Sequence, residues 1–266
     1  MQTPTELLVF LRKTLPQLSR NSVKALLKNG QVQVDRVPVT QFNHPLAAGQ
    51  SVCIQARGAS GMPQDKLSIL YEDEALIVID KPAGLLSIAS DNERVRTAYR
   101  QVTAHVGGHI FVVHRLDRET SGVLLFAKNA EIKHALQANW ANLVTERGYR
   151  ALVEGTPNPP ADTIRTFLRE TKTHLVYSAP SGQEAITEYR VCGPSPHGAR
   201  LELRLHTGRK NQIRVHMSEL GHPVVGDKKY GAATDPLSRL ALHAHALALT
   251  HPLTGERLRF AAETPF

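Results

Sequence analysis

The stretch His114-Arg115-Leu116-Asp117-Arg118-Glu119-Thr120-Ser121-Gly122 lies between two apolar runs, Ile110-Phe111-Val112-Val113 and Val123-Leu124-Leu125-Phe126-Ala127-Lys128. Both runs read as strands, so one carboxylate, Asp117, is set inside apolar, strand-like sequence. Desolvating a carboxylate costs several kcal/mol unless charge or hydrogen bonds compensate it. Arg115 and Arg118 flank it on both sides. Burial disfavours the ionised form of any carboxylate and a neighbouring guanidinium favours it. The residues alone leave two readings open, a structural ion pair or a reactive group.

Working outward, short apolar runs alternate with turns over 75–80, 110–114, 122–128, 149–154, 163–170, 184–192, 199–206, 240–250 and 256–261. Helical periodicity is confined mainly to 130–143 and 210–220. Many strands with few intervening helices predict an α+β domain with a mixed, largely antiparallel central sheet rather than a doubly wound one. That domain is expected to span 66–266. The Gly, Ser and Pro content of 57–65 reads as a linker, which leaves a small N-terminal α/β domain at 1–56. In that domain Thr3-Pro4-Thr5-Glu6 has the form of a capping box opening a helix with an apolar stripe at Leu7, Leu8, Leu11 and Leu15. A second helix is expected after Ser19, with Val23, Leu26 and Leu27 inward and a stop at Asn29-Gly30. Gln31 to Val34 alternate as a strand, Asp35-Arg36 turn, and Val37 and Val39 continue a small sheet.

The chain has 266 residues, 41% of them hydrophobic, enough for a large domain beside a small one. No run approaches the roughly 18 apolar residues of a membrane helix, and the N-terminus lacks a basic start followed by an apolar core. A cytoplasmic location is expected, with no membrane partner. Cys53 and Cys192 are far apart, which argues against a disulfide framework or a thiolate metal site, and both are expected to be buried. Thirty-two Lys and Arg against twenty-four Asp and Glu give a net charge of +8, which favours a polyanionic partner. Arg12, Lys13, Arg20, Lys24, Lys28 and Arg36, opposed by Glu6 and Asp35, place half of that charge in residues 1–56.

The HRLDRETSG run, followed by its apolar strand, resembles the signature of the RluA-type RNA pseudouridine synthases. Three further blocks follow the family's pattern and order: Ile77-Val78-Ile79-Asp80-Lys81-Pro82-Ala83-Gly84-Leu85, Tyr149-Arg150-Ala151-Leu152-Val153-Glu154-Gly155, and Thr207-Gly208-Arg209-Lys210-Asn211-Gln212-Ile213-Arg214-Val215-His216. The resemblance covers roughly residues 70 to 260. It implies the pseudouridine synthase fold, with an active cleft along the middle of the sheet. Asp117 would be the nucleophile, attacking the ribose anomeric carbon or the uracil ring, or assisting glycal formation. Tyr149 would stack on the target base and help remove the final proton. Arg214 would pair with Asp117, and Ile213 would line the uracil pocket.

Arg115 and Arg118 would contact RNA phosphate or fill the place of the flipped base, or else support the Asp117 loop. Lys81-Pro82-Ala83-Gly84 would shape the cleft wall. Two departures from the family pattern stand out. Gly148 precedes Tyr149 where many relatives carry a basic residue, which predicts a missing phosphate or structural contact. Lys210-Asn211 replaces the commoner Thr-His, expected to alter RNA contacts without abolishing chemistry. The family uses no metal or organic cofactor, and the pair His243-Ala244-His245 has no companion carboxylate or cysteine to complete a metal set.

Residues 1–56 resemble the S-four RNA-binding domain, with Arg20, Lys24 and Lys28 on a helix facing phosphates. Together these readings predict isomerisation of uridines in structured RNA, foremost ribosomal RNA of the large subunit, by a monomer. The alternatives are a tRNA-modifying synthase and a noncatalytic RNA-binding or ribosome-assembly protein. A retaining glycoside hydrolase would need a second carboxylate about 5 to 5.5 Å from Asp117, and no second acidic motif stands out.

Overall fold

The computed structural model describes residues 5–28, 31–54, 67–90, 93 and 96–266, with Lys28 and Pro38 described by their backbone only. Thr3, Pro4, the Asn29-Gly30 stop and the linker at 57–65 lie outside the described residues. The chain divides into two compact units, Met1–Lys66 and Leu67–Phe266.

The first unit runs β1 (Thr5–Glu6), α1 (Leu7–Thr14), α2 (Arg20–Lys28), β2 (Val32–Val34), β3 (Val37–Pro38), β4 (Pro45–Leu46) and β5 (Val52–Ile54). Its core is the stripe foreseen from spacing, with Leu7, Leu8, Leu11, Val23 and Leu27 packed on Val32, Val34 and Leu46. The first helix begins at Leu7 rather than inside the expected capping box. Thr5 and Glu6 pair with Leu46 and Pro45 instead, and the Leu7 and Leu8 amides donate to the carbonyls of His44 and Phe42. Backbone partners thus do what a side-chain cap would otherwise do. At α2 the Ser19 hydroxyl accepts from the Ser22 amide at 3.1 Å, the expected N-cap contact. Asp35 and Arg36 both adopt left-handed backbone (φ 49° and 69°), the geometry of a tight hairpin turn. Ser51 and Gln50 hydrogen-bond the Asp35 carboxylate and hold its pKa down.

The second unit contains β6 (Ser68–Glu72), β7 (Leu76–Lys81), α3 (Ala98–Val106), β8 (Phe111–Val112), β9 (Ser121–Ala127), α4 (Ala130–Ala138), α5 (Trp140–Leu143) and β10 (Val144–Glu154). It continues through β11 (Ala161–Glu170), β12 (Val176–Ala179), β13 (Gln183–Ser195), β14 (Gly198–Leu205), α6 (Gln212–Glu219), a 3-10 turn at Lys228–Tyr230, β15 (Leu242–Thr250) and β16 (Arg257–Ala261). Among the described residues these strands form one mixed sheet in the order β12-β11-β13-β14-β10-β15-β9-β7-β6, with β16 beside β15 and β8 beside β9. The β9–β15 contact, His243 to Ser121 and Ala244 to Gly122, is parallel. The other pairs along the sheet are antiparallel. The fold is α+β with a largely antiparallel central sheet, as the pattern of runs predicts.

The sheet is covered unevenly. Strands β7 and β9 are buried on both faces. Leu76, Val78, Val123 and Leu125 face α4 and Phe260, and Ile77, Ile79, Leu124 and Phe126 face α3. That is why both read as continuous apolar runs. Strand β14 alternates buried and open positions, its inner residues Leu201, Leu203 and Leu205 packing on Ile213 and Met217 of α6. The two cysteines, expected to be buried, are exposed. Cys53 lies on the edge strand of its small sheet and Cys192 on the solvent side of the β13 alternation.

Candidate active site

Asp117 lies in the loop 113–120 joining β8 to β9, half-buried, rather than within a strand. Two anchors shape this loop. Leu116 is buried on the α3 side of the sheet, and the Ser87 hydroxyl both accepts from its amide (3.0 Å) and donates to its carbonyl (2.7 Å). Lys81, 0% exposed at the end of β7, donates from Nζ to the carbonyls of Pro82 (2.9 Å), Leu85 (2.8 Å) and Arg118 (3.2 Å). The Gly84 amide donates to the same Arg118 carbonyl at 2.8 Å. The Lys-Pro-Ala-Gly segment, expected only to shape a wall, therefore clamps the loop that carries Asp117. Burial pushes the Lys81 ammonium down to about 7, opposed by the charges of Asp117 and Glu119.

The opposite side is built by the turn before α6. Gln212, buried, accepts from the Thr207 hydroxyl (2.8 Å) and the Arg209 amide (3.0 Å), and donates to Ile186 O and Thr187 Oγ1. This saturated amide fixes the turn, and Asn211 ends it in left-handed backbone (φ 53°, ψ 19°). Asn211 Nδ2 donates to Asp117 Oδ2 at 2.6 Å. Its Oδ1 accepts from Lys229 Nζ (3.2 Å) and from the Tyr230 hydroxyl (3.1 Å). Lys210 pairs with Glu170 instead of standing free.

The expected direct pair between Arg214 and Asp117 is not formed. Arg214 makes a two-pronged ion pair with Asp227, Nε to Oδ2 at 2.6 Å and Nη2 to Oδ1 at 2.7 Å. Asp227 is 1% exposed, and so deeply buried a carboxylate requires a matched cation. The remaining Arg214 nitrogen, Nη1, reaches Glu119 at 3.5 Å, and the guanidinium lies 5.1 Å from the Tyr230 ring centroid. Asp227 together with the charges of Asp117 and Glu119 holds Arg214 firmly protonated against its burial. Lys81, Arg214 and Lys229 all feel the charges of Asp117 and Glu119, so two carboxylates of this loop face three basic side chains.

Tyr149 comes from β10, opposite Leu203 of β14. Its ring packs against the clusters on both sides of this junction. The pairing of β10 with β15 shifts register between Gly148 and Arg150, an irregularity of the kind that re-aims a side chain at a site. Desolvation and the Asp117 charge push the phenol up to about 12, so it is a neutral donor at physiological pH. Gly148 has a steric reason, because a Cβ there would lie 3.0 Å from His245 Nε2. The His245 ring occupies the space a side chain before Tyr149 would need.

The other foreseen residues separate. Arg115 is exposed and makes no hydrogen bond or ion pair among the described residues. Arg118 is exposed and donates from Nε to Gly84 O at 3.2 Å, bracing the Asp117 loop. Ile213 is buried in the cluster that Tyr149 borders. In the first unit Arg20 and Lys24 are exposed, and Lys24 Nζ lies 5.7 Å from the Phe42 ring centroid. Sequence reasoning missed the roles of Lys81, Asn211, Asp227, Lys229 and Tyr230. The departure at Asn211 was visible, but its partner lies 94 positions away. Among the described residues no three His, Cys, Asp or Glu side chains come together to hold a metal ion, and no helix is long and apolar enough to cross a membrane.

A polar loop carrying a carboxylate among cations, beside an aromatic ring at the middle of a mixed sheet, defines a class that the comparisons identify. The family model for RNA pseudouridylate synthase matches residues 75–219. An uncharacterized RNA pseudouridine synthase of Chlorobaculum parvum is 32% identical, covering 100% of this chain and 92% of the relative. The ribosomal large subunit pseudouridine synthase D of Zymomonas mobilis is 32% identical over 96% and 89%. Among solved structures, human RNA Pseudouridylate Synthase Domain Containing 1 superimposes with a TM-score of 0.65 at 26% identity, over 77% of this chain and 86% of that one. The chain belongs to the RNA pseudouridylate synthase family and is an RNA pseudouridine synthase.

Proposed function

We propose that this enzyme is of the RluA type and isomerises specific uridines of large-subunit ribosomal RNA, with Asp117 as nucleophile. The observation that carries the site assignment is the Asp117 carboxylate itself. Oδ2 is tied to a neutral amide, Oδ1 has no hydrogen-bond partner among the described residues, and the Arg214 and Lys229 cations feel the Asp117 charge. The ribosomal target is supported by a relative named for the large ribosomal subunit.

The reaction breaks the bond between uracil N1 and ribose C1′, turns the base, and joins C5 to C1′. The C5 hydrogen leaves as a proton and N1 ends protonated. An ionised Asp117 supplies the electron pair. The Arg214 and Lys229 cations stabilise negative charge developing on the detached base. Tyr149 offers a rigid face on which the flipped base stacks, worth about 1 to 3 kcal/mol. With its phenol up at about 12, it stays neutral and works first as a platform and hydrogen-bond donor. Arg115, exposed and unpaired among the described residues, is placed to take a phosphate.

Residues 1–56, in this reading, are an S-four type RNA-binding domain separated by a linker at 57–65 from the catalytic domain at 66–266. Arg20, Lys24 and Lys28 contact phosphates.

The decisive experiment maps pseudouridine, by carbodiimide-dependent reverse-transcription stops, in RNA from cells lacking the gene. Ribosomal stops should be lost, then restored by the wild-type gene and not by Asp117→Asn. Loss of stops in transfer RNA instead would move the target, restoration by Asp117→Asn would remove the nucleophile assignment, and intact stops everywhere would overturn the reading. For the N-terminal domain, the double variant Arg20→Gln/Lys24→Gln should flatten the plot of log affinity against log salt by roughly 1.5 to 2, the counterions of two phosphate contacts. An unchanged slope would remove these residues from the RNA interface.

A further inference from the structure

We infer that Asn211 is a positioning residue for catalysis, a one-way amide bracket that turns Asp117 so that Oδ1 is presented to the substrate. The inference rests on Asp117 being the nucleophile. It deepens that reading at a position where this chain departs from the commoner histidine.

Three observations carry it. The first is direct contact: Asn211 Nδ2 donates to Asp117 Oδ2 at 2.6 Å, within the range of charge-assisted bonds.

The second is that the amide has one permitted orientation. The Tyr230 hydroxyl accepts from the Val176 amide at 3.2 Å and donates to Asn211 Oδ1 at 3.1 Å. Lys229 Nζ carries hydrogens only and donates to the same oxygen. A flipped amide would set its NH2 against the Lys229 ammonium and its oxygen against the Asp117 carboxylate. The NH2 group is thereby committed to Asp117, with the Lys229 charge behind it.

The third is what Asn211 forgoes. It occupies the N-cap of α6, where an asparagine side chain ordinarily accepts from the first turn of its own helix. Here it makes no capping bond. Its backbone is left-handed (φ 53°), a conformation that asparagine and histidine tolerate better than most residues. Nothing in the stability of α6 calls for this arrangement, whereas orienting Asp117 does.

The test compares kcat and KM for wild type, Asn211→Gly, Asn211→His and Asp117→Asn. Tritium release is followed from [5-3H]uridine-labelled ribosomal RNA of cells lacking the gene. Glycine keeps the left-handed backbone without strain and removes only the amide, and circular dichroism checks that the fold persists. Asn211→Gly should lower kcat by about tenfold or more with KM changed less than about twofold. Asn211→His, which restores an N–H donor, should recover most of the lost turnover. The inference is overturned by wild-type kcat in Asn211→Gly, by a rise in KM alone, which would mark an RNA contact, or by a histidine no better than glycine. Turnover retained in Asp117→Asn would overturn the nucleophile reading itself. A dead Asp117→Asn beside an unaffected Asn211→Gly would sink the bracket alone.

Discussion

Gly122 stands where β9 meets β15, and its backbone (φ 115°) is one that L side chains rarely adopt. A Cβ there would fall 2.2 Å from the carbonyl oxygen of Ala244, which is held in the parallel register. Gly122→Ala therefore forces strand against strand, and the expected loss is about 3 kcal/mol or more. Urea unfolding measures it, and a variant within about 0.5 kcal/mol of wild type would show a junction able to relax. Turnover should fall with it, because the displaced backbone continues into the Asp117 loop. At this scale the sequence was readable where chemistry and motif coincide. Asp117, Tyr149 and Gly122 sit in runs whose neighbours define them. Arg214 was expected to pair with Asp117 and pairs with Asp227 instead, a contact that no local pattern encodes.

The loop at 82–87 and the loop at 113–120 behave as one element, held through Lys81. Replacing it by methionine, a side chain of similar length without donors, would leave the carbonyls of Pro82 and Leu85 unsatisfied and that of Arg118 with the Gly84 amide alone. About 2 to 3 kcal/mol should be lost. Amide hydrogen exchange at Gly84 and Leu116 should accelerate in Lys81→Met, whereas unchanged protection there would assign the clamp to Ser87 alone. The elements themselves followed from hydrophobic period wherever a strand is long or wholly buried, as β7, β9 and β13 to β15 are. Three were missed. Strand β6 and the hairpin strand β12 present mostly open or half-open positions, so alternation is weak. Helix α3 buries only Ala98 and Val102, too narrow a stripe to register, although Thr97 caps its start and Gly107 ends it in left-handed backbone.

At the scale of the molecule, burial holds three imidazoles neutral: His114, His216 and His243 are each pushed down to about 4. In the unfolded chain they take up protons near pH 6.5. The unfolded state thus binds more protons between those limits, so stability is full above about pH 6.5 and falls as the pH drops toward 4. A loss of about 3 kcal/mol or more is expected from urea titrations across that window, and a flat profile would contradict the neutral burial of these rings. The same sheet that buries them also divides the site between distant stretches of chain. Asp117 arrives with β9, while the amide that holds it is 94 positions further along. At about 5 to 20 residues per second, a ribosome making this protein carries the Asp117 loop for roughly 5 to 20 seconds before Asn211 is made. A chain that has not yet reached Asn211 therefore carries the Asp117 loop without this contact.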